Sequence, residues 1–147
     1  MLTETQLRIL SLVLRLPDLH CAAIARQVKL TPMAITKAVR RLVKEGCVTV
    51  VPVGKSHIIR LKPNPDHLEY YSLAEKLTSR RQSPILAKAN FAIITNSERL
   101  AIAEQPIKGI PTITLTDFLN NYKKYQHLLT GERVIINPYN FWKVMVT

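Results

Sequence analysis

The chain has 147 residues, 47% of them hydrophobic, which is enough apolar material for one average domain or two small ones. Its 21 Lys and Arg against 10 Asp and Glu leave a formal charge of +11, so a polyanionic partner is expected, with nucleic acid ahead of an anionic membrane surface. No run approaches the roughly 18 uninterrupted apolar residues of a membrane span, and the N-terminus lacks the charged-then-apolar order of a secretory leader. A soluble, cytoplasmic protein is expected, without membrane contact. Cys21 and Cys47 fit no CxxC or Cys/His ligand spacing, which predicts two reduced structural thiols, no metal and no cofactor.

In chain order, Thr3 followed by Gln6 has the form of a capping box, and Leu7, Leu10 and Leu14 recur at helical spacing, so a first helix is predicted to about residue 16, stopped by Pro17. Residues 20–28 predict a short second helix whose Ala22, Ala23 and Ala25 permit close approach of a neighbour. After the turn Lys29-Leu30-Thr31 comes a good N-cap, Thr31, then Pro32 at the first helical position. A third helix is predicted from there to Gly46, a suitable C-terminal cap. Residues 47–53 and 56–61 are rich in β-branched side chains and are joined by Gly54-Lys55, which predicts a β-hairpin. Helix, turn, helix, hairpin is the order of a winged helix-turn-helix.

Pro63 and Pro65 interrupt the strand pattern, and Asp66 is predicted to cap a long helix through Leu68, Tyr71, Leu73 and Leu77 to about residue 82. Beyond Pro84 the predicted elements alternate: strand 91–95, helix 97–104, strand 110–115, helix 117–129 and strand 134–137. That order suggests a small, mostly parallel sheet packed on the long helix or on a second copy of the chain. The fold class is therefore α+β, with a winged helix-turn-helix over 1–65, a linker helix over 66–83 and a small α/β domain over 84–147 serving dimerisation or ligand sensing.

Charge singles out the first part. Residues 1–66 carry +7 and residues 67–147 carry +4, and residues 29–62 hold eight basic side chains against one acid, Glu45. On helix three, Ile35, Ala38, Val39 and Leu42 fall on one side, while Met33, Thr36, Lys37, Arg40 and Lys44 fall on the other. A solvated basic face alone would need no ligand. Here an adjoining helix-turn and hairpin accompany it, and Lys, Arg, Thr and Met are residue types that can read base edges in a major groove.

The stretch LTPMAITKAVRRLVKEGCV at residues 30–48 resembles the recognition helix and first wing strand of MarR-type winged-helix regulators, a likeness extending over about residues 1–63. The resemblance implies that Pro32, Met33, Thr36, Lys37 and Arg40 approach base edges, that Lys55, Ser56 and His57 at the wing tip reach the backbone or minor groove, and that the protein is a homodimer on palindromic double-stranded DNA. Thr31, Arg41, Lys44 and Arg60 complete the expected DNA-binding set. The family's helix preceding this unit is absent from the sequence, so its dimer geometry and effector pocket are not carried over.

FAIITN at 91–96 and GIPTITL at 109–115 resemble the later part of nucleotidyltransferase-like or PIN-like α/β domains. Such enzymes cluster carboxylates around divalent metals, and none are clustered here, which implies a degenerate fold without catalysis. Asp117 is read as part of a helix start after Thr116. Gly54-Lys55-Ser56 is not a phosphate-binding loop, since position 49 is Thr and no helix follows. His20 and Cys21 are read as a partly buried structural pair, and Tyr139, Phe141 and Trp142 as core or interface. A sequence-specific DNA-binding transcriptional regulator is thus expected, with a winged-helix module for RNA or protein contact, then a metal-dependent nucleotidyltransferase, as alternatives.

Overall fold

The computed structural model describes residues 1–16, 18–77 and 85–146. The first helix, α1 (Glu4–Arg15), starts with a complete capping box: the Gln6 amide donates to the Thr3 hydroxyl at 3.2 Å and the Thr3 amide to the Gln6 side chain at 2.9 Å. Pro17, the predicted stop, lies outside the described residues. A two-residue strand, β1 (Leu19–His20), then leads into α2 (Cys21–Val28). The sequence does not predict this strand, because two residues carry no periodicity. It forms by pairing Leu19 with Ile59, far along the chain. His20 is exposed while Cys21 is half-buried, so the expected partly buried pair is only half right.

Helix α3 (Pro32–Glu45) begins and ends as its sequence directs. The Thr31 hydroxyl accepts from the Ala34 amide at 3.2 Å, and Gly46 closes the helix at a φ of 83°, a left-handed conformation that suits glycine. Strands β2 (Val48–Val53) and β3 (Ser56–Leu61) form the predicted hairpin, turning at Gly54 (φ 60°) with Val53 opposite Ser56. With β1 they make a three-stranded antiparallel sheet in the order β1-β3-β2.

The next helix starts differently from prediction. The Asn64 side chain, not Asp66, caps it by accepting from the Asp66 amide at 3.0 Å. A 3₁₀ turn (Pro65–His67) leads into α4 (Leu68–Lys76), and the predicted continuation over 78–82 lies outside the described residues.

The C-terminal half corrects the parallel reading. Its elements are β4 (Phe91–Ile94), β5 (Arg99–Ile102), β6 (Thr112–Ile113), α5 (Leu115–Asn120), α6 (Tyr122–Tyr125), β7 (Val134–Ile136) and α7 (Pro138–Met145). The sheet order is β6-β5-β4-β7, with β4 antiparallel to both neighbours and only β5 and β6 parallel. The helix predicted over 97–104 is strand β5. The Thr95 hydroxyl accepts from the Glu98 amide at 3.0 Å and the Thr95 amide donates to the Glu98 carbonyl at 2.9 Å, closing a tight turn that folds β5 back onto β4. Burial then overrides the helix propensity of Arg99-Leu100-Ala101: Leu100 and Ile102 face one core and Ala101 another. The expected strand 110–115 shortens because Thr114 is the N-cap of α5, accepting from the Asp117 amide at 3.1 Å, so the helix starts at Leu115 and not after Thr116. The expected helix 117–129 breaks at Asn121, whose backbone leaves the helical region (φ −116°, ψ 31°) while its backbone and side-chain amides both donate to the Asp117 carbonyl at 3.0 Å. Helix α7 follows Asn137, held at a φ of 55° by side-chain bonds to the carbonyls of Ala87 (3.3 Å) and Ala89 (3.0 Å).

One apolar core runs through both halves: Leu10, Leu14, Leu42 and Ile59 belong to the same cluster as Tyr71, Phe91, Phe118 and Trp142. Helix α4 packs against α1 on one side and α7 on the other, so the C-terminal part does rest on the linking helix. Phe141 and Trp142 are core residues, as expected of packing aromatics, while Tyr139 stays exposed.

Candidate nucleic-acid interface

Helix α3 presents a dry face and a wet one. Ile35, Ala38, Val39 and Leu42 are buried, and the helix packs on α1 and α2 through them. Met33 (70% exposed), Thr36, Lys37, Arg40 and Lys44 project to solvent on the opposite side, as the helical spacing predicts. Among the described residues Lys37, Arg40 and Lys44 take part in no ion pair, so their charges are unopposed by a carboxylate. Three other expected contact residues are partly occupied within the protein. The Thr31 hydroxyl caps the helix, Thr36 donates its hydroxyl proton to the Pro32 carbonyl at 2.9 Å, and Arg41 lies on the flank in a 2.7 Å ion pair with Glu45.

The hairpin carries Lys55, Ser56 and His57 exposed at its tip. Arg60 sits nearer the base, where its Nε donates to the Asp18 carboxylate. Asp18 holds a left-handed φ of 54° just before β1, and sequence spacing offered no sign of this partnership 42 residues away. The pair stands at the lip of a cavity of about 360 Å³ between the wing base and the C-terminal half, reached also by Arg15, Tyr122 and Trp142. Burial, then the nearby Arg133, lowers the pKa of Arg15 below the usual arginine value.

What fixes this module in place is a buried ion pair that sequence reasoning missed. Glu75 of α4 and Arg133, 2% and 1% exposed, form a bidentate pair with N–O distances of 2.9 and 2.8 Å. Arg133 also donates to the carbonyls of Leu129 (2.8 Å) and Leu14 (3.4 Å), and the Trp142 indole N–H donates to Glu75 at 3.3 Å. The Gly131 amide donates to the Arg15 carbonyl at 3.0 Å, so the C-terminal half supplies donors to the last carbonyls of α1, which no intrahelical amide can reach. At the C-terminal end of α3, the His67 ring pairs with the Glu45 carbonyl through Nε2. A Cβ added to Gly46 would stand 3.4 Å from the Asn64 amide.

Helix, turn, exposed basic helix and hairpin wing together make residues 4–61 a winged helix-turn-helix. Residues 2–52 match the model of the MarR family, so this segment is similar to the winged helix of that family. No curated protein and no solved structure matches the chain. Among the described residues no helix is long and apolar enough to cross a membrane.

Proposed function

We propose that the protein is a sequence-specific regulator that binds double-stranded DNA as a homodimer, laying α3 in the major groove. The observation that carries this is the exposed face of Thr36, Lys37, Arg40 and Lys44, unpaired with carboxylates among the described residues and flanked by a basic wing. Lys37 and Arg40 lie mid-face, where donors meet guanine O6 and N7, and the methyl groups of Met33 and Thr36 suit thymine. Lys55 at the wing tip is a flexible point charge that meets phosphate. Two copies double a footprint that is small for one winged helix, and the C-terminal part, over about residues 84–147, serves as the dimerisation or sensing unit.

Selection of bound fragments from random duplex DNA, with sizing of the free protein and the complex, tests partner and symmetry together. Arg40→Ala is expected to cost about 1–3 kcal/mol on the selected duplex and much less on random DNA. Lys55→Ala is expected to weaken all duplexes alike and to flatten log affinity against log salt by about one unit. Equal losses for Arg40→Ala on both DNAs would remove α3 as the reading element, and a monomer both free and on DNA would remove the dimer.

A further inference from the structure

Resting on the duplex-binding reading of α3 and the wing, we infer that the exposed lysines of α6, Lys123 and Lys124, form a second phosphate-contacting surface beside the wing. The C-terminal half thereby lengthens the DNA footprint.

Three observations converge on this short helix. Residues 118–131 contain no Asp or Glu, while Lys123 and Lys124 are exposed and, among the described residues, take part in no ion pair. Together with Asn120 they line an open, shallow cleft of about 570 Å³ to which no carboxylate contributes. Second, the platform beneath them is stiff. The Phe118 ring is fully buried, meets Tyr122 edge-on and stacks on Tyr125, each at 5.9 Å, and packs edge-on against Phe91 at 5.6 Å. The Lys124 ammonium lies 5.7 Å from the centre of the Tyr125 ring. Charges on such a support lose less freedom on binding than charges on a loose tail.

Third, the patch adjoins the base of the wing through Tyr122, which lines both this cleft and the cavity at the wing base. Tyr122 and Gln126 line the same cavity as Arg60 and Leu61, the last residues of β3, which sets α6 against the wing base. Duplex DNA is a stiff rod carrying a charge about every 1.7 Å, so cations flanking a docked wing meet the phosphates that run past it. Asn120, exposed in the same cleft, adds an amide donor of the kind that bonds phosphate oxygens. The opposite layer offers an internal control, because Lys88 and Lys108 sit among the segments that cover the far face of the second sheet, around Leu86, Ala89, Ile107 and Ile110.

Titrations of the full chain on its selected duplex, set in about 30 base pairs, decide the matter when run at several salt concentrations. For a Lys123→Ala/Lys124→Ala variant, the slope of log affinity against log salt is expected to flatten by about 1.8, since each lost phosphate contact removes about 0.9. Lys88→Ala/Lys108→Ala, with the same change in net charge, should leave the slope unchanged. Equal flattening by both pairs would mean a general field and no contact, and would overturn the inference, as would an unchanged slope for the α6 pair. If that pair is silent while Arg40→Ala still loses discrimination, only this inference falls. If the unmodified protein binds no duplex, or the α6 pair weakens only single-stranded RNA, the inference is overturned, and in the first case the DNA-binding reading falls with it.

Discussion

Arg133 is charged and nearly inaccessible to solvent, a placement that is tolerated because each of its donor nitrogens has an acceptor: Glu75 twice, then the carbonyls of Leu129 and Leu14. Removing one partner strands the other charge in the interior. Arg133→Met is therefore expected to lower unfolding free energy by about 3–5 kcal/mol in denaturant titrations, whereas replacing Glu75 and Arg133 together by apolar residues of similar volume should recover much of the loss. If the single variant costs no more than a surface change, the pair does not hold the halves together. Burial acts on two neutral groups as well. It pushes the Cys47 thiol from the usual 9.0 up to about 11, helped by the charge of Glu45, and the Tyr71 hydroxyl from 10.0 up to about 12, helped by Cys47. Tyr71 donates to the Lys62 carbonyl at 2.9 Å, a bond available only to the neutral phenol. Both folded-state values lie above the unfolded ones, so the folded chain holds these protons more tightly. Their contribution is complete below about pH 9 and is lost as pH rises through about 11 and 12. The melting temperature should fall across this alkaline range, less steeply for Cys47→Val than for the unmodified protein, and an identical pH profile for the two would contradict the assignment.

Elements bounded by local signals form where those signals stand. Thr3 with Gln6, Thr31 with Pro32, and Gly46 each act through contacts a few residues away, so the starts of α1 and α3 and the end of α3 follow from short-range chemistry. Thr31→Ala leaves one amide of the first turn without its acceptor and is expected to cost about 1 kcal/mol in equilibrium unfolding. Thr31→Ser should retain nearly all of the stability, and equal losses for the two would show that the hydroxyl is not the cap. The misread elements lack such signals. Arg99-Leu100-Ala101 has helix-forming side chains, yet β4 offers it a ladder from Phe91 to Ile94, and a strand with both faces buried forms instead. The predicted helix 117–129 divides at Asn121, where the backbone turns out of the helical region (φ −116°, ψ 31°), a local departure that the pattern of apolar residues does not reveal.

At the scale of the molecule, α1 serves two masters. Its buried residues pack against α3 on one side and α4 on the other, and the Arg133 segment caps its last turn. A fragment of residues 1–65 would expose the apolar surface of Leu10, Leu14 and Ile59 that the shared core covers, and would leave the carbonyls of Leu14 and Arg15 without those donors. Such a fragment is expected to show no cooperative thermal transition by circular dichroism, and a sharp transition near that of the whole chain would refute the single-core account. The α3 part of the candidate interface was legible in the sequence because amphipathic periodicity and net charge are local quantities: Lys37, Arg40 and Lys44 stand on the exposed face that spacing predicts. The pairing of Arg60 with Asp18, 42 residues apart, was not legible, nor was that of Arg133 with Glu75, 58 residues apart, because chain closure and burial choose such partners. By itself the sequence determined the helix-turn-helix, the wing and the cationic outer face. Tertiary structure decided the antiparallel order of the second sheet, the shared core and the placement of α6 beside the wing, since those depend on which surfaces can exclude water together.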